Sequence, residues 1–299
     1  MTMQTGRLLV STDLGSEERA GNHHIAYTEW GDQKNPHVVI CVHGLTRNCR
    51  DYDYLAKVLE SGCRVFCVDV IGRGKSDWLD HAEDYNNYQV YLSDAMALLA
   101  YIKSQYQEDI TLDWVGISMG GLIGILTAIQ PQIPIPIHKL ILSDIGPVIP
   151  VTALRRMSDY VGKGQSFESI EALEAYIKEI SVSFGSLTDE QWRHLTIHSA
   201  KKNNDGTYAF CYDPKISGSL KQDNLKEDIV LWEYWDQLQV PTLVIRGAES
   251  DVLDVKTTAE MQKRGPKTEV VELQGVGHAP ILLDEEQIGI VKDFIFESN

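Results

Sequence analysis

Gly116-Ile117-Ser118-Met119-Gly120-Gly121 puts a serine in a G-x-S-x-G-G setting. Ahead of it, Thr111-Leu112-Asp113-Trp114-Val115 has the β-favouring look of a buried strand; behind it, Leu122 to Ile129 is apolar on almost every side, like a buried helix. A serine at a sharp strand-to-helix turn lifts its hydroxyl above the sheet, and Gly116 and Gly120 leave room for it. The helix N-terminus beside it offers free N–H groups to an oxyanion. Ser118 is therefore the candidate nucleophile. A hydroxyl is a poor nucleophile at neutral pH, so it needs a base, and the base needs an orienting carboxylate.

After such a serine the partners follow in chain order, acid before histidine. His278 is the only one of the nine histidines in a glycine-flanked turn just past a strand near the C-terminus. Glu249, Asp251 and Asp254 lie in the loop after Gly247. Asp251 is the first choice of acid, because an acid that orients an imidazole usually sits a few residues past its strand. Glu249 comes second, and Asp144 third, at the end of the strand before a long insertion. The oxyanion donors should be two backbone N–H groups, Met119 after the nucleophile and Leu45 in the loop His43-Gly44-Leu45-Thr46. His43 and Gly44 are expected to support that loop. Asp69, Arg73 and Ser76 are expected to hold the turn after their strand.

These residues need elements to carry them. Strands are expected over 8–10, 23–30, 37–42, 64–69, 111–115, 139–146, 241–247 and 268–273, with helices over 52–59 and 88–103 and from about Asp284. The alternation predicts a largely parallel sheet wrapped on both faces. It breaks at Pro147 and resumes at Pro241, and such a span is too long for a bare loop. Residues 147–239 are expected to form a helical lid over a core of 1–146 and 240–299. Its candidate helices are a stretch carrying Phe167, Ile170, Leu173, Ile177 and Ile180 on one face, Asp189 to Ser199, and Leu225 to Leu238.

The 299 residues carry a formal charge of −16, with only 27 Lys and Arg, so a phosphate backbone would be repelled and no nucleic-acid partner is expected. The greasiest stretch, Gly116 to Ile137, holds the serine turn and three prolines, which excludes a membrane span. Five cysteines without a C-x-x-C pair suit neither a zinc site nor a disulfide framework. The N-terminus lacks a signal-peptide pattern, and the expected compartment is the cytoplasm. Gly72-Arg73-Gly74-Lys75-Ser76 lacks phosphate-loop spacing, and His23-His24 has no third ligand; no cofactor and no metal are expected.

His43-Gly44-Leu45, Gly116-x-Ser118-x-Gly120-Gly121, Asp251 and Gly277-His278-Ala279-Pro280, in that order, resemble the lidded α/β-hydrolase superfamily. Asp69-x-x-Gly72-x-Gly74-x-Ser76 matches a turn of its cofactor-free members. The resemblance implies a mostly parallel eight-stranded α/β-hydrolase sheet with helices on both faces and a helical lid inserted after the sixth strand. By motif the chain is similar to carboxylesterases, enol-lactonases and C–C hydrolases of aromatic ring-fission products. Some relatives take the acid from where Asp144 stands. The implied reaction is acyl transfer on a small-molecule ester or lactone, through Ser118, His278 and Asp251. A C–C hydrolase is the alternative, and a carboxylate-bearing substrate would want Arg155, Arg156 or Arg193 aimed at the pocket. A non-catalytic ligand-binding protein on the same fold is the second alternative. The oligomeric state is not legible in the sequence.

Overall fold

The computed structural model describes residues 3–13, 20–221 and 225–297, apart from the side chain of Ser219. The chain opens with β1 (Gln4–Asp13), β2 (Ala20–Trp30) and β3 (His37–Val42), then α1 (Asp53–Leu59), β4 (Arg64–Asp69), α2 (Tyr88–Lys103), β5 (Thr111–Ile117), α3 (Met119–Ala128) and β6 (Ile137–Ser143). The insertion carries β7 (Val148–Ile149), α4 (Val151–Ser158), α5 (Ile170–Ile180), α6 (Asp189–Ser199), β8 (Ala200–Lys202), β9 (Tyr208–Phe210), β10 (Ile229–Val230) and α7 (Trp232–Trp235). The chain returns through β11 (Thr242–Gly247), α8 (Val255–Met261), β12 (Thr268–Leu273) and α9 (Glu285–Phe296).

Eight strands form one sheet in the order β1-β2-β4-β3-β5-β6-β11-β12. Only the β1–β2 and β2–β4 pairings are antiparallel. Period-two alternation divides the strand side chains between two cores. Val38, Ile40, Leu112, Trp114, Leu140 and Leu142 join the core under α2 and α3, while Val39, Cys41, Val115, Ile117 and Ile141 join the one under α1 and α9. Both faces are covered, so these strands read as continuous apolar runs. β4 and β5 lie on opposite sides of β3, and the crevice at this reversal is where open α/β sheets gather ligands. It brings the loop after β3 beside the Ser118 turn after β5.

The expected eight-stranded, mostly parallel sheet is the one observed. The insertion is less helical than expected. Over 225–238 only Trp232–Trp235 is helical. Upstream, Ile229 and Val230 pair with Ile149 and Val148, and the Asp228 carboxylate accepts the Val151 N–H at 2.8 Å, which holds that stretch extended. α5 begins at Ile170, capped by Ser169, and Phe167 instead bridges to Tyr208. α6 spans the expected residues behind a full capping box of Thr188 and Gln191.

The end of α9 is fixed by an unusual donor. Lys139 on β6 is only 2% exposed, and its ammonium donates to the carbonyls of Phe294 (2.7 Å), Ile295 (3.3 Å) and Glu297 (2.8 Å). A cation at a helix C-terminus satisfies orphan carbonyls and the negative end of the dipole together. Replacing Lys139 by Met is expected to cost about 2 kcal/mol of stability, since buried acceptors lose their donor. Urea denaturation checks this, with amide exchange rising over the last turn of α9; a loss below about 0.5 kcal/mol would contradict it.

Candidate active site

β5 delivers Ser118 at φ 50°, ψ −117°, a strained conformation for a residue with a Cβ. The turn holds because its neighbours are glycines. A Cβ on Gly120 would lie 1.9 Å from the Val42 carbonyl oxygen, and one on Gly116 would lie 2.4 Å from the Gly120 carbonyl carbon. The Ser118 N–H donates to the Ser143 carbonyl (2.9 Å), and the Ser118 carbonyl accepts from Gly121 and Leu122 at the start of α3.

His278 stands in the turn after β12. Its Nε2 lies 2.9 Å from Ser118 Oγ and its Nδ1 lies 2.8 Å from Asp144 Oδ2. The histidine turn is clamped by the insertion: Ser183 Oγ donates to the His278 carbonyl (2.5 Å), and the Gly277 N–H donates to the Ser183 carbonyl (2.7 Å).

The carboxylate bonded to this histidine is that of Asp144, and not that of the expected Asp251. Asp144 follows β6 at φ 53° and is fully buried. Besides the imidazole, it accepts from the Gly247 N–H (2.9 Å) and the Ser250 hydroxyl (2.5 Å). In the loop after β11 it is therefore Ser250 that turns inward. Asp251, one residue on, faces outward, where Arg156 of α4 grips it through Nε (2.6 Å) and Nη2 (2.9 Å). Although burial opposes it, that guanidinium holds the Asp251 carboxyl below the usual range. Glu249 is exposed.

Met119, at the first position of α3, has no carbonyl one turn back for its N–H. Leu45 and Met119 both wall the space beside Ser118. His43 is fully buried, placed between the Gly44 carbonyl (2.7 Å from Nδ1) and the Val70 N–H, which donates to Nε2 at 2.9 Å. Burial, with the nearby Arg73 and Arg47 charges, pushes its pKa down to about 3, so it stands neutral with the proton on Nδ1. Arg73, read from the sequence only as a turn residue, is fully buried and donates Nε to the Leu45 carbonyl (2.8 Å) and Nη1 to the Ile71 carbonyl (2.7 Å). Its guanidinium packs by the rings of Tyr85 and Tyr91 and near Met119 Sδ (3.8 Å). No sequence pattern announced this link between the glycine-rich turn and the Leu45 loop. Asp69 does hold its turn, accepting from Cys49 and Lys75.

Two cavities meet at Ser118. One, of about 80 Å³, includes His278, Ala279, Ile281, Arg47 and Arg156 in its wall. The other, of about 220 Å³, is mostly apolar, with Leu122, Ile145, Ile149, Leu154 and Leu220 among its lining. Trp30, Trp232 and Trp235 line neither. A metal-sized group exists elsewhere, Asp53, His194 and His198, but Arg50 already grips the Asp53 carboxylate and the group lines neither cavity. His23 is instead bonded to the buried Asp94 at 2.6 Å.

The family model described as serine aminopeptidase, S33, matches residues 33–286. A 3-hydroxybutyrate-oligomer hydrolase of Cupriavidus necator is 41% identical over 282 residues, covering 92% of this chain and 94% of that one. A crystal structure of a Rickettsia typhi protein superposes at TM-score 0.89 with 29% identity over all of both chains. An α/β hydrolase of Novosphingobium aromaticivorans superposes at 0.79 with 30% identity, covering 97% and 98%. No helix among the described residues is long and apolar enough to cross a membrane.

The state of His43 has a measurable consequence. Its folded pKa is depressed below the ordinary histidine value, so the unfolded chain binds the proton first as pH falls. The stability His43 confers is whole above about pH 6.5 and declines toward pH 3, by about 1.4 kcal/mol per unit. The stability advantage of wild type over His43→Gln is expected to shrink by about 2 kcal/mol between pH 6.5 and 5, measured by urea denaturation. A constant gap would contradict a neutral, buried His43.

Proposed function

The chain belongs to the serine aminopeptidase S33 family of α/β hydrolases, and on that footing we propose that it cleaves carboxylic esters through an acyl-enzyme on Ser118. The observation that carries this reading is the unbroken line from Asp144 to His278 to Ser118, at 2.8 and 2.9 Å. Asp144 holds the Nδ1 proton, so the Nε2 lone pair faces the serine. His278 takes the serine proton as Oγ attacks the ester carbonyl, and the Leu45 and Met119 N–H groups receive the oxyanion. His278 then gives that proton to the departing alcohol. Water, activated by the same nitrogen, releases the acid and restores the serine.

The substrate class we assign is short oligoesters of 3-hydroxybutyrate, the activity named for the relative that is 41% identical. Hydrolysis of an amino-terminal peptide bond suits this site less well. A substrate ammonium wants a free carboxylate, and among the described residues the one carboxylate in the two cavities, Asp51, is already bonded to Arg47 at 2.6 and 2.8 Å. Residues 147–239 act in this reading as the cap that shapes both cavities. We place the enzyme in the cytoplasm, a compartment that suits its five unpaired cysteines.

Turnover of p-nitrophenyl butyrate and of 3-hydroxybutyrate dimer tests the assignment. Ser118→Ala is expected to abolish turnover and labelling by a fluorophosphonate. Asp144→Asn should lower kcat by roughly 10³–10⁴, as loss of an orienting acid does. Asp251→Asn should lower it by no more than about tenfold. The reverse ranking of the two aspartates would overturn the assignment of Asp144.

A further inference from the structure

The two cavities at Ser118 differ in a way that tells the two halves of a substrate apart. The histidine that protonates the departing alcohol must stand on the leaving-group side of the scissile bond. His278 lines the cavity that holds Arg47 and Arg156 and is absent from the wall of the apolar one. The acyl chain therefore belongs in the apolar cavity with Met119 and Leu122, and the alcohol belongs beside the arginines.

Both arginines are preset. Asp51 occupies the Nε and Nη2 atoms of Arg47 at 2.6 and 2.8 Å, and Asp251 occupies the same two atoms of Arg156 at 2.6 and 2.9 Å. A guanidinium has five N–H donors, so a carboxylate on one edge leaves further donors, which at Arg156 also meet Tyr160 of the same cavity wall. Asp51 engages Nε and Nη2 of Arg47 and leaves Nη1 outside that pair, and the guanidinium lies over the ring of Phe184 in the same cavity wall. Arg155 and Arg193, the other arginines of the insertion named as candidates from the sequence, are turned elsewhere, to the Leu225 carbonyl and to Glu171 and Glu174. The rest of the cavity, with Ile177, Ile180 and Phe184, is apolar enough to house a methyl branch.

We propose that Arg47 and Arg156 form a carboxylate subsite on the leaving-group side of Ser118, so that the enzyme recognises the free carboxyl end of a hydroxy-acid oligoester and removes one unit at a time from that end. This rests on the ester-hydrolase reading above. A leaving 3-hydroxybutyrate carries its carboxylate two carbons from the departing oxygen, which places an anion in the arginine cavity while the oxygen meets His278. The ester C–O bond breaks as Ser118 acquires the acyl group, the departing oxygen takes the His278 proton, and water supplies the hydroxyl and proton that free the acid. Because the aspartates fix both guanidinium planes beforehand, little side-chain entropy is lost on binding. Their opposing charge keeps the affinity modest, which lets the anionic product leave.

The test compares 3-butyryloxybutyrate with its methyl ester, alongside p-nitrophenyl butyrate, on the full chain. Wild type is expected to favour the free acid in kcat/KM by about 10- to 100-fold, chiefly through KM, the range expected when a charged hydrogen-bond partner is lost. In Arg156→Gln the ratio of acid to methyl ester should fall toward one, and Arg156→Lys should restore part of it. A 3-hydroxybutyrate trimer acetylated on its hydroxyl should yield free 3-hydroxybutyrate and acetylated dimer first, read by mass spectrometry. Equal use of acid and methyl ester by wild type, or acetylated monomer as the first product, overturns the proposal. So does hydrolysis of p-nitrophenyl butyrate with neither butyryloxy compound cut. Failure on p-nitrophenyl butyrate as well would instead bring down the ester-hydrolase reading, and the subsite with it.

Discussion

A carboxylate without solvent contact is tolerable only if the groups around it supply what water would. Asp144 is in that position, at the end of β6, and three donors reach it: the Gly247 N–H, the Ser250 hydroxyl and the His278 imidazole. Two of the donors come from the end of β11 and the loop after it, and the third from the turn after β12. Satisfying this one charge therefore fixes β6 against β11, fixes the turn after β12 against both, and sets the tautomer of His278. The insertion adds its own hold, since Ser183 is bonded to both Gly277 and His278. These bonds tie the insertion to the histidine turn.

The Ser118 turn depends on a second constraint, close backbone approach. The Ser118 turn brings α3 so near β3 that position 120 has no room for a side chain against Val42. That approach sets the Met119 N–H beside the loop carrying Leu45. The loop is held from behind by neutral His43 and by the buried Arg73 guanidinium, whose positive charge lies near the space an oxyanion would fill. The two cavities then differ in chemistry: Arg47 and Arg156 stand with His278 in one, and hydrocarbon lines most of the other, where the buried Arg73 also reaches the wall.

Much of this was legible in the sequence, for physical reasons. β3 and β4 fall on the expected residues because strands buried on both faces are unbroken apolar runs; β12, an edge strand with Glu269 and Glu272 exposed, also falls where expected, and α2 and α6 carry clear helical signals. Ser118 and His278 stand out because their flanking glycines answer to steric needs. The acid did not. Asp144 and Asp251 both follow strands at the same edge of the sheet, and what separates them is which of Ser250 and Asp251 turns inward, a one-residue matter set by packing. Periodicity also overstated the helix at 225–238, where pairing of Ile229 and Val230 with β7 prevails over local preference. The aim of Arg156 was equally hidden, being fixed by Asp251, a residue 95 positions away.

The central claim is that Asp144, and not Asp251, holds the Nδ1 proton of His278. Proton NMR in water observes that proton directly, as a far-downfield exchangeable resonance. Spectra of wild type, Asp144→Asn and Asp251→Asn are the comparison to make. The resonance should persist in Asp251→Asn and vanish or move sharply upfield in Asp144→Asn. Its loss in Asp251→Asn with survival in Asp144→Asn would contradict the account.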